Sequence, residues 1–134
     1  MADLTIHIET QINPTETELK VRQAVENVFG PINMQLKPLQ KGTLLHASAT
    51  GQNALTKFHN LLQREHIRTA ARTVLLGGLE KNSINFCLNK QVAYAGHISF
   101  SKEENESPLG PIRVQIRTEN PRQTIQYLTA TANY

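Results

Sequence analysis

Cysteine occurs once in this chain of 134 residues, tryptophan not at all, aromatic side chains make up 5%, and Asp3 is the one aspartate. Each shortage removes a class of function. Cys87 alone closes no internal disulfide, and the histidines at positions 7, 46, 59, 66 and 97 show neither finger-like nor metalloprotease-like spacing with which it would build a zinc site. Its setting in INFCLNK reads as a half-buried strand position. An aspartate acid/base pair or an aspartate-built metal cage lacks its material. Few aromatics argue against stacking of single-stranded bases as a main binding mode. No Gly-rich loop ends in Gly-Lys-Ser/Thr, and there is no nucleophile elbow and no Gly-x-x-Gly of a KH module. No cofactor is therefore expected. No apolar run approaches the roughly 20 residues of a membrane span, and MADLTIHIE lacks the blocks of a secretory signal, so the expected location is the cytoplasm.

What is present is a displaced charge. The net charge is only +3, but Lys57 to Lys102 holds seven basic residues against two acidic ones, while the segments on either side are each slightly acidic. The distribution, more than the total, points to a local cationic surface.

Hydrophobic periodicity outlines one domain over residues 1–134. LTIHIE alternates as a strand with one wet face. NPTETELKVRQAVENVFGP offers Thr15 and Glu18 as a capping box, a stripe at Val21, Val25 and Val28, and a Gly30-Pro31 stop. Met34–Leu39 and Leu44–Thr50 flank a Lys41-Gly42 turn as a hairpin. QNALTKFHNLLQRE is helical and continues, with a break near His66, through Ile67, Ala70, Ala71 and Val74 to Gly77-Gly78. SINFCLN, a stretch near His97–Phe100 and IRVQIRT read as strands, KEENES as an acidic loop, and Asn120-Pro121 as the start of a last helix. This order predicts an α+β fold: a mostly antiparallel sheet with helices packed on one face, a two-layer sandwich.

Arg64, Arg68 and Arg72 recur at helical-turn steps, so they are expected to form one slanting row beside a buried sector of Ile67, Ala70, Ala71 and Val74. Arginine suits phosphate because its planar fork donates parallel hydrogen bonds and stays charged. A second polar surface is the exposed sheet face, where Arg113, Gln115 and Arg117 align with Asn85 and Asn89 if their strands are neighbours, with Lys90 at the margin. The bland alternatives are a solubilising helix face and an ordinary wet sheet. Asn89 at a strand end also suits a bond to nearby backbone, and Pro108 and Pro111 around Gly110 suit a structural joint.

The segments IRTAARTVLLGGL, INFCLNKQVAYAGHISF and ESPLGPIRVQI, in this order and at these separations, resemble an uncharacterised archaeal family of predicted RNA-binding proteins. SPLGPI after LNKQ is the most specific part. The resemblance implies an α+β domain related in architecture to a ribosomal large-subunit protein and compared with double-stranded RNA-binding domains. It also implies an RNA ligand. Matching positions include Arg68, Arg72, Asn89, Lys90, Gln91, Ser107, Pro108, Gly110 and Pro111, whereas the Gly77-Gly78 pair departs from a pattern that often places a basic residue just before the glycine. The expected activity is binding of structured RNA, double-helical or ribosomal, through Arg64, Arg68 and Arg72 with help from Lys57, Asn89, Lys90, Arg113 or Arg117, and no catalysis. Two rivals stand beside it. One is a protein-interaction module forming a homodimer through a sheet face or edge; the other is a small enzyme using Glu and His, which a pocket gathering several of those side chains would favour.

Overall fold

Strict alternation on the first strand organises the whole architecture. The computed structural model describes residues 4–101 and 110–130. In β1 (Thr5–Ile12) the even-numbered side chains are buried and the odd-numbered ones half-exposed. β2 (Asn33–Pro38) and β3 (Thr43–Thr50) form the expected hairpin, and β4 (Leu79–Glu80), β5 (Ser83–Asn89), β6 (Phe100–Ser101) and β7 (Pro111–Arg117) complete an antiparallel sheet in the order β2-β3-β1-β7-β5-β4, with β6 also on β5. β1 is thus central: Ile8 faces Ala47 on one side and Val114 on the other. The strand expected near His97–Phe100 shrinks to the two residues of β6, and His97 lies before it in a loop.

One face of this sheet carries the helices α1 (Glu18–Phe29), α2 (Thr56–Arg64), α3 (Arg68–Gly77), α4 (Lys90–Tyr94) and α5 (Pro121–Thr129), with a 3-10 turn over Gln52–Leu55. Their buried residues join the inward strand residues in a single apolar cluster. At its centre Phe29, Phe58, Phe86 and Phe100 form a column with successive ring centroids 5.4, 5.5 and 5.9 Å apart, tying α1 and α2 to β5 and β6. Such ring pairs add to the area they bury. Of the sector expected to pack under α3, Ala71 is buried, but Ala70 is exposed. No helix among the described residues is long and apolar enough to cross a membrane. Glu103, Glu104, Glu106 and the first part of SPLGPI lie outside the described residues, while Pro111 opens β7 and its carbonyl accepts the Thr10 hydroxyl at 3.1 Å.

The start of α1 differs from the expected capping box. Thr17, not Thr15, occupies the N-cap, and its side chain makes no capping bond. Glu16 instead accepts from the Asn13 backbone N–H at 3.0 Å and from the Lys90 ammonium at 3.0 Å, while Glu18 pairs with Arg22 on the helix surface. Lys90 is 3% exposed and also donates to the Gln11 carbonyl at 2.6 Å. Burial works to raise the Glu16 pKa, but the Asn13 and Lys90 hydrogen bonds outweigh it and hold the carboxyl below its ordinary value; burial likewise lowers that of Lys90.

Gly78 fixes the end of α3 against the sheet. Its carbonyl accepts the Asn85 N–H at 2.9 Å, and a Cβ at this position would run into the Asn85 carbonyl oxygen, whereas Gly77 faces open space. Gly78→Ala should therefore cost about 2–3 kcal/mol through forced separation of α3 from β5, and Gly77→Ala should be neutral or stabilising by about 0.5 kcal/mol; chemical denaturation of the two variants checks the contrast. For the buried pair, Glu16→Ala should cost about 3 kcal/mol because it strands the Lys90 charge. Since the folded Glu16 pKa lies below the unfolded one, its contribution is present above about pH 4–5 and lost as pH falls through the folded value. Melting curves from pH 7 to 3 should fall less steeply for Glu16→Gln than for the wild type.

Candidate nucleic-acid interface

The three arginines of the central segment do not share one helix. α2 ends at Arg64, His66 adopts a left-handed φ of 57°, and α3 begins at Arg68. Arg64 consequently leaves the row and donates to the Gly96 carbonyl at 3.4 Å, beside a Glu65–His97 pair at 3.0 Å that holds the Glu65 carboxyl below its ordinary value. Arg68 and Arg72 stay together. Arg68 donates to the Gln63 side-chain oxygen at 3.1 Å, and Gln63 in turn donates to the Ala130 carbonyl at the end of α5. One turn back along α5, Gln126 accepts from Arg72 at 3.2 Å. One turn further back stands exposed Arg122. The seam between α3 and α5 is therefore lined by Arg68, Arg72 and Arg122, the last of which sequence reading overlooked because it is the one basic residue on its own helix.

Neutral amide oxygens do not compensate a guanidinium, and each arginine keeps most of its five donors for another partner. Among the described residues no ion pair is formed by Arg64, Arg68, Arg72, Arg117 or Arg122, in contrast to Arg22 with Glu18, Lys90 with Glu16 and His97 with Glu65.

Other expected site residues have structural partners. The Lys57 ammonium caps the carboxyl end of α1 by donating to the Glu26 carbonyl at 3.0 Å, a position the helix dipole favours. Asn89 is the N-cap of α4, its side-chain oxygen accepting the Val92 N–H at 3.0 Å. Lys90 is not at the margin of the wet face but buried against Glu16, because the first turn of α4 directs it inward.

Arg113 and Arg117 are exposed on β7, on the sheet face turned away from the helices, so the sheet separates them from Arg68 and Arg72. The expected alignment with β5 is present: Asn85 faces Gln115, and Gln115 donates to the Asn85 side-chain oxygen at 3.0 Å. Registers across β3, β1 and β7 also bring His46, Glu9 and Arg113 into one row, with His7 in the next. The His7 and His46 rings lie 5.7 Å apart. These side chains line an open cleft of about 620 Å³ whose far wall is the end of α3. Sequence spacing alone gave no sign of this cluster, since His7 and His46 meet only through the β1–β3 pairing.

A family model described as RNA binding matches residues 5–118. A UPF0201 protein of Pyrobaculum islandicum is 40% identical over 126 residues, covering 93% of this chain and 88% of that protein. One of Sulfurisphaera tokodaii is 43% identical over 124 residues, covering 92% and 86%. The crystal structure of a UPF0201 protein from Methanococcus jannaschii superimposes with a TM-score of 0.84 at 27% identity, over 93% of this chain and 98% of that one. On this footing the chain belongs to the archaeal UPF0201 family and to the family whose model is described as RNA binding.

Proposed function

We propose that the protein binds structured RNA, double-helical or ribosomal, by backbone and shape contacts along the α3/α5 seam. The observation that carries this reading is the set of guanidinium groups on two adjoining helices, Arg68 and Arg72 held by neutral amide oxygens and Arg122 exposed, none of them in an ion pair among the described residues. A-form RNA offers a phosphate-edged, shallow minor groove that a rigid cationic helical surface engages by shape more readily than by sequence. The family description supplies the ligand class. Architecture like that of a ribosomal large-subunit protein or a double-stranded RNA-binding domain would suit this mode.

Two further features weigh against base stacking and against dimerisation, whereas the cleft that gathers His7, His46, Glu9 and Glu80 meets the condition set for the enzyme rival. His59 and Tyr127 stack on each other with centroids 4.6 Å apart, so this aromatic pair spends a face of each ring internally instead of offering both to bases. The edge strand β2 carries Lys37 and ends at Pro38, residues that oppose edge-to-edge pairing with a second copy.

Binding to duplex, single-stranded and ribosomal RNA across a salt series tests the reading. Three phosphate contacts predict a slope of log affinity against log salt of about −2 to −3. Arg68→Ala and Arg72→Ala should each flatten it by about 0.7–0.9, with little change in melting temperature, while Arg117→Ala leaves duplex binding as it was. Unchanged affinity and slope in both seam variants would reject the α3/α5 surface.

A further inference from the structure

The sheet face opposite the helices is not a uniform cationic surface. Neighbouring side chains across antiparallel strands stand about 4.5–5.5 Å apart, so the registers fix a mixed set. Glu9 sits between His46 and Arg113, and His7 is beside Gln115, which is bonded to Asn85. Asn85 donates onward to Glu80 at 3.2 Å. Burial, then His46 and Arg117, push the His7 pKa down, so the imidazole is neutral near pH 7 and both donates and accepts. At the far end the Ser101 hydroxyl is buried and has no hydrogen-bond partner among the described residues.

Two carboxylates in such a cleft are a handicap for a bare phosphate, which they repel. They are an asset for a ligand that brings hydroxyl and N–H donors together with an anion. The space, about 620 Å³, falls within the roughly 300–1,000 Å³ of small-molecule sites. The end of α3 closes one side, where Gly77 and Gly78 present no side chain.

We propose that this cleft binds one ribonucleotide unit, with its phosphate toward the imidazoles of His7 and His46 and its sugar hydroxyls and base N–H groups toward Glu9 and the Gln115–Asn85–Glu80 chain. A free nucleotide and the terminal unit of an RNA strand share this chemistry. The site lies on the opposite face from the α3/α5 seam and stands or falls independently of it.

The test is titration of the full chain with adenosine and guanosine 5′-monophosphates, the matching nucleosides, inorganic phosphate and a 5′-phosphorylated tetranucleotide. Calorimetry gives affinities and imidazole NMR resonances give location. Saturable nucleotide binding should move the His7 and His46 signals while those of His59, His66 and His97, which do not line the cleft, stay in place. Nucleotide should bind at least about ten-fold more tightly than phosphate or nucleoside alone. The His7→Gln/His46→Gln double variant should lose that advantage with its melting temperature and duplex-RNA slope unchanged. The tetranucleotide binding more tightly than the mononucleotide assigns the site to a strand terminus, and equal binding assigns it to free nucleotide. Phosphate binding as tightly as nucleotide, no saturation at millimolar concentration, or nucleotide binding abolished by Arg68→Ala but not by the histidine variant would overturn the proposal.

Discussion

Because β1 lies between β3 and β7 and buries Ile6 and Ile8 completely, its period of two decides which side of the molecule every neighbouring side chain occupies. Each of these isoleucines stabilises the fold by about 1.5–3 kcal/mol, and a one-residue slip would turn both toward water. The same alternation that secures the core therefore delivers His7 and Glu9 to the open face. Packing and chemistry on this strand are two readings of a single pattern.

The helical layer obeys a different geometry. Its arginines are set by where α2 stops and α3 restarts, and by which helix runs beside α3. The left-handed residue His66 rotates α3 away from the course of α2, so Arg64 is drawn to the Gly96 carbonyl while Arg68 and Arg72 meet α5. Two polar surfaces result, divided by the sheet. One is the α3/α5 seam with Arg68 and Arg72, and the other is the open, mixed-charge cleft lined by His7, Glu9, His46 and Asn85.

Much of this was legible in the sequence where the pattern is local. The alternation of LTIHIE, the valine stripe of α1, the hairpin around Lys41-Gly42 and the break near His66 all follow from neighbouring residues, and so did the antiparallel α+β architecture. Long-range pairings were not legible. Lys90 looks like a surface cation until Glu16, distant in sequence, is seen beside it, and Lys57 becomes a cap only when α1 is placed next to α2. The alignment of Asn85 with Gln115 could be stated only conditionally, because it needs β5 to neighbour β7. Arg122 and the His7–His46 cluster were missed for the same reason: each acquires its company through tertiary contact.

The seam at Gly78 has a bearing on self-association. Between the short pairings with β4 and β6, the outer margin of β5 would present a free N–H to any passing extended chain, and the carbonyl of Gly78, the residue that caps α3, occupies it at Asn85. A helix terminus thus serves as the stopper of a sheet that would otherwise be a template for foreign strands. Loosening that stopper would uncover the Asn85 N–H at this margin, the kind of unpaired edge group along which sheets add foreign strands.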